Sequence, residues 1–130
     1  MTLTRTQAAR ALGAIRLVNG VAALAMPRVM ARTLRVDARE HAPMIYFMRM
    51  FGIRTVLIGL QLLTAEGEEL EQAMRSGIII HASDTLTAAI AGVRGELPKR
   101  AAVTGTLISA VNTALAVYGS GIISHELEDD

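Results

Sequence analysis

Of the polar side chains that interrupt the apolar runs of this 130-residue chain, five could do chemistry together: Arg16, Arg54, His81, Asp84 and Asn112. Two guanidinium groups and one carboxylate can pair and still leave one positive charge over, enough to hold a carboxylate, a small anion or the polar part of a lipid. His81 precedes Asp84 by one helical turn, so the two share a face with Thr87, Ala88 and Ala91. An imidazole beside a carboxylate can relay a proton, although no nucleophile of known motif accompanies this pair. The smallest arrangement has Asp84 ionised between Arg16 and Arg54, with Asn112 or His81 completing its hydrogen bonds and Ser109 beside Asn112 on the last helix. The same residues also have a purely structural account, in which buried polar groups fix helix register and pairing.

Other chemistries are excluded by residue type or spacing. His41, His81 and His125 lie in separate segments without a metal-binding pair, and the absence of Cys removes thiolate sites, thiol nucleophiles and disulfides together. Gly119-Ser120-Gly121 lacks the third glycine and the preceding strand of a dinucleotide loop. A net charge of +1 gives no field for gathering nucleic acid. No metal and no cofactor is expected. Met44, Met48 and Met50 suit core filling better than ligation.

The elements that must position the five residues follow from where the charges collect. Hydrophobic residues make up 52% of the chain and charged ones 19%, with a mean hydropathy of +0.39, which describes one apolar domain over residues 1–130. Charges gather in short blocks between four long runs. Ala101 to Ser124 carries no charged side chain and, as a helix, slightly exceeds the roughly 30 Å of a bilayer core. Pro43 to Ala65 carries Arg49 and Arg54, Gly77 to Val93 carries His81 and Asp84, and Ala11 to Met26 carries Arg16 and Asn19. A charge at the centre of a membrane helix costs about 2.5–3.5 kcal/mol on insertion scales, which a bundle can bear when that charge faces a partner. The expectation is an all-α, four-helix transmembrane bundle, with helices near 5–26, 43–65, 73–94 and 99–124. The competing reading is a soluble helical dimer. Aromatics are only 3%, Trp is absent, and Tyr46 and Tyr118 alone can form an interfacial belt. Ala23-Leu24-Ala25 resembles a signal-peptide cleavage site, but Arg16 and Asn19 inside the preceding run argue against removal.

Between the first two runs, Pro27 to Ala42 reads as a short amphipathic interfacial helix, with Val29, Met30, Leu34 and Val36 alternating with Arg28, Arg32 and Arg35. Glu66 to Glu71 reads as an acidic connection, Arg94 to Arg100 as a tight basic turn, and residues 125–130 as a frayed acidic tail. Counting Lys and Arg near the run ends places the first and third connections in the cytoplasm, with both termini and the Glu-rich connection outside.

The first two long runs share a pattern: Arg10-x2-Gly13-x6-Gly20 matches Arg49-x2-Gly52-x6-Gly59. At 100° per residue each trio shares one face, so Gly13, Gly20, Gly52 and Gly59 are expected to pack helices closely beneath an Arg anchor. These motifs, with Arg16, the Pro27 break, the run Arg49-Met50-Phe51-Gly52-Ile53-Arg54 and an Asp in the third helix, resemble the small four-helix integral membrane proteins of unknown function frequent in actinobacteria. Those proteins are distantly DoxX-like. The resemblance implies a four-helix membrane bundle and no activity. Twelve Arg against one Lys and abundant Ala fit a GC-rich bacterial genome. The expectation is a multi-pass protein of a bacterial inner membrane, non-enzymatic, acting as an accessory or assembly subunit. The alternatives are a binder or carrier of a lipid or small anion, and a membrane enzyme using His81 and Asp84. The partners to expect are membrane lipids and further subunits, a second copy of the chain included.

Overall fold

The computed structural model describes residues 3–37, 39–40 and 42–121, and among them every regular element is helical. In chain order these are α1 (Arg5–Ala25), α2 (Pro27–Thr33), α3 (Ala42–Thr64), α4 (Gly67–Val93) and α5 (Lys99–Ser120). The four long helices are long and apolar enough to cross a membrane. The shortest, α1 with 21 residues, measures about 32 Å at helical rise.

Local chemistry sets the boundaries. Thr4 caps α1 in a reciprocal pair with Gln7, each side chain bonding the other's backbone N–H at 3.1 and 2.9 Å. Pro27 starts α2, where its missing N–H is harmless. The fourth helix begins well before the expected residue 73, because Glu66 to Glu71 is not a loop. Glu66 occupies the cap position, and Glu68 and Glu69 fill the first turn, where carboxylates complement the positive end of the helix dipole. The fifth helix stops at Ser120, since Gly121 adopts φ 75°, the left-handed conformation that closes a helix. The rest of its expected span, and the acidic tail, lie outside the described residues.

Successive long helices alternate in direction, so α2 and the Arg94–Pro98 turn lie at one end of the bundle and Ala65–Glu66 at the other. Tyr46 and Tyr118, both exposed, fall near opposite ends. Much of the interior is small or polar: Ala8, Ala9, Ala23, Ala101, Ala102 and Ala116 are buried, as are Arg16, Thr55, His81 and Asn112, beside one apolar cluster built on Leu12, Leu62 and Met74. Many other large apolar side chains point outward, Leu57 at 62%, Ile79 at 72% and Leu86 at 62% exposure. A bundle folded by water would reverse this distribution, and a lipid surround is what it suits.

Packing divides the bundle into two tight pairs, α1 with α3 and α4 with α5, joined chiefly through α1 and α5. The α1/α3 pair is antiparallel and closes on its glycines. A Cβ on Gly20 would lie 2.9 Å from the Gly52 carbonyl oxygen, and one on Gly59 would lie 2.9 Å from the Gly13 carbonyl oxygen. Arg10 donates to the Leu62 carbonyl at 2.7 Å, anchoring one end of this seam. In contrast α3 and α4, neighbours in the chain, barely touch.

Candidate functional site

Where the two pairs meet, the bundle holds its polar residues. Arg16 of α1 reaches across to Asp84 of α4, guanidinium to carboxylate at 3.7 Å, an ion contact longer than a hydrogen bond. Phe51 of α3 lies under the same guanidinium, 5.8 Å from its ring centre. Arg54 forms no ion pair with Asp84 among the described residues, and its side chain is exposed on α3. The expected bridge of Asp84 between two arginines is therefore corrected to a pair with Arg16 alone. The reason is angular. Arg16 follows Gly13 by three residues and Arg54 follows Gly52 by two, so their side chains leave the shared face about 100° apart.

The residue that corresponds to Arg16 in the second half of the repeat is Thr55, and it is fully buried. Sequence reading missed it, although the repeat offset that carries Arg10 onto Arg49 leads to it directly. His81 and Asn112 are also fully buried. In the α4/α5 pair Gly77 faces Ala116 and Gly105 faces Ala88, a register that sets His81 opposite Asn112. Neither completes the hydrogen bonding of Asp84. Arg16 Nε and Nη2, Thr55 Oγ1, both His81 ring nitrogens, Asp84 Oδ2 and both Asn112 amide atoms are buried with no hydrogen-bond partner among the described residues. So many unmet polar atoms in one layer form a demand that packing alone leaves unanswered.

Two cavities adjoin this layer from opposite ends. The larger, about 590 Å³, lies at the α2 end between the helix pairs. Arg16, Asn19 and Asp84 line it, Thr87, Thr104 and Ser109 add hydroxyls, and its remaining walls are mainly apolar. Val29, Met30 and Leu34 contribute to those walls, so the apolar side of α2 covers a cavity. The smaller, about 210 Å³, opens between α3 and α4 and is lined by Gln61, Glu69, Gln72, Ser76 and His81. His81 and Asp84, expected to work as a pair, thus border different cavities one helical turn apart. Among the sequence candidates Arg16, Asp84 and Ser109 meet in one cavity, His81 lies in the other, and Asn112 sits at their level without lining either.

Further polar contacts tie α4 to α5. Thr85 donates to the His81 carbonyl at 2.7 Å and lies 3.4 Å from Thr113, which donates to the Ser109 carbonyl at 2.8 Å. At the α2 end, Arg28, Arg32, Arg35 and Arg39, together with Asp37, line a further pocket of about 930 Å³. No family model matches the chain, and neither a characterised protein nor a solved structure proves similar to it, so the DoxX-like resemblance rests on its motif residues alone.

Proposed function

We propose that the chain is a multi-pass protein of a bacterial cytoplasmic membrane that binds an amphipathic molecule with an anionic head, its arginine-rich α2 end facing the cytoplasm. The supporting observation is the buried guanidinium of Arg16, with Nε and Nη2 unpartnered, at the inner end of a 590 Å³ cavity whose walls are mainly apolar. A carboxylate or phosphate there would take up the free N–H groups, and a hydrocarbon tail would lie along Met30, Leu34 and Ile108. Asp84 leaves Arg16 available, since their contact is too long for a hydrogen bond. A polar centre serving assembly alone would need neither this cavity nor so many unmet donors. The positive bias of the α2 end and the Arg94 to Arg100 turn supports the orientation.

The test uses cis-parinaric acid, a fluorescent fatty acid, titrated into the purified protein. Saturable binding is expected, weakened about tenfold in Arg16→Gln through loss of a charge-assisted bond. Gly105→Leu should weaken it comparably by filling the apolar wall, because a Cβ there meets only Ala88 at an ordinary 3.5 Å. Absence of saturable binding, or affinity unchanged in both variants, would overturn the reading.

A further inference from the structure

The groove between α3 and α4 has features that a binding cavity at the α2 end does not require. These helices are joined by only Ala65 and Glu66, yet they diverge where such neighbours normally pack, leaving a lateral opening along the bundle. The α3 side presents Phe51, Arg54, Ile58 and Gln61, which recur at helical spacing on one face. Arg54 is exposed about 18 Å along α3 from its start, a depth at which a guanidinium needs an anionic or aqueous neighbour.

The two cavities also come close to meeting. From the Glu66 end, Gln72 and Ser76 lead to His81, which is 0% exposed with both ring nitrogens unpartnered. From the α2 end, the larger cavity leads to Arg16 and Asp84. His81 and Asp84 are separated by one turn, about 5 Å of helix. Two cavities, each with polar side chains at its inner end, therefore approach one another through the buried layer of Arg16, Asp84 and His81.

Resting on the reading above, we propose that this groove carries the head groups of anionic phospholipids between the two leaflets. The head would travel past Ser76, His81, Arg54 and Arg16 while the acyl chains stay in the surrounding lipid through the open α3/α4 side. Charge complementarity selects the occupant: Arg16 lines the larger cavity, Arg54 lies exposed on the α3 face between Phe51 of that cavity and Ile58 of the smaller one, and the basic pocket of Arg28, Arg32, Arg35 and Arg39 collects anionic heads at the α2 end. Asp84 holds Arg16 between passages. The layer of His81, Asn112 and Arg16 is the narrow point, its unmet donors substituting for the water a head group sheds.

The experiment uses vesicles holding nitrobenzoxadiazole-labelled phosphatidylglycerol, with the impermeant reductant dithionite added outside. Without protein only the outer-leaflet dye is bleached. With the full chain reconstituted, inner-leaflet dye should be bleached as well, faster than for the same label on zwitterionic phosphatidylcholine. Arg54→Ala, on an exposed side chain, should slow bleaching about tenfold through loss of one charge-assisted contact. Ser76→Trp should slow it by obstruction, and Arg75→Gln, on the exposed pair with Glu71, should leave it unchanged. Protein-free kinetics with wild-type protein that still binds cis-parinaric acid would overturn translocation and leave binding standing, whereas loss of both would remove the underlying reading. Bleaching as fast in Arg54→Ala and Ser76→Trp as in the wild type would exclude this groove as the route, and equal rates for the two lipids would exclude selection by charge.

Discussion

The two seams of α3 are opposites. On one side it meets α1 through Gly52 and Gly59, backbone against backbone, with hardly room for a methyl group. On the other it faces α4 across a gap lined by Gln61, Gln72 and Ser76. Without a hydrophobic drive between helices in lipid, close backbone approach supplies the dispersion contacts that hold a pair together. The α1/α3 seam is thus the frame. The α3/α4 seam does not close and keeps polar side chains along its opening, with His81 buried and unpartnered among the described residues at its inner limit.

The largest expected effect comes from forcing the closed seam apart. A side chain on Gly52 would place its Cβ 2.7 Å from the backbone N of Leu24, and backbone cannot swing aside as a side-chain end can. Gly52→Val should destabilise the bundle by about 3 kcal/mol or more through overpacking, read as a lower unfolding midpoint in detergent. Gly77→Ala, whose Cβ would find His81 and Ala116 at 3.5 and 3.7 Å, should be close to neutral. Equal losses at both positions would erase the proposed difference between frame and groove.

The next effect sharpens the account of the polar layer. Asp84→Asn leaves the buried Arg16 uncompensated, and the expected loss is about 3 kcal/mol, the low end for a buried pair because the Asp84 side chain is 27% exposed. Arg16→Met added to Asp84→Asn should recover much of that loss, whereas Arg54→Met added to Asp84→Asn should recover little. Thermal stability of the single and double variants decides it. Recovery through Arg54 would place Asp84 with the wrong arginine.

The sequence exposed more of the frame than of the groove, for reasons that trace to particular residues. Run length marked the four long helices, and the repeated Arg and Gly spacing marked the face that α1 and α3 share, since 100° per residue leaves those positions little freedom. The start of α4 was hidden because Glu68 and Glu69, which resemble loop residues by composition, are stabilised by the helix terminus they help to form. Choosing between Arg16 and Arg54 required reading a one-residue offset as a rotation. The divergence of α3 from α4 has no local signal at all, because it depends on how two independently closed pairs meet.

The smallest expected effect concerns Thr85 and Thr113, the hydroxyl contact between α4 and α5. Their oxygens are 3.4 Å apart, yet each hydroxyl donates its proton to a carbonyl one turn earlier on its own helix, to His81 and to Ser109. A hydroxyl has one proton, so the contact between helices is dipolar and not a full hydrogen bond whenever both backbone bonds are made. Thr113→Val preserves the side-chain shape and removes only this polar term. Its loss should be about 0.6 kcal/mol, the average found for side-chain hydrogen bonds inside membrane bundles. The coupling measured against Thr85→Val should be no larger. A coupling several times that size would mean that one threonine releases its own carbonyl to bond across, and that the α4/α5 pair is held by polar contacts where α1/α3 is held by glycine packing.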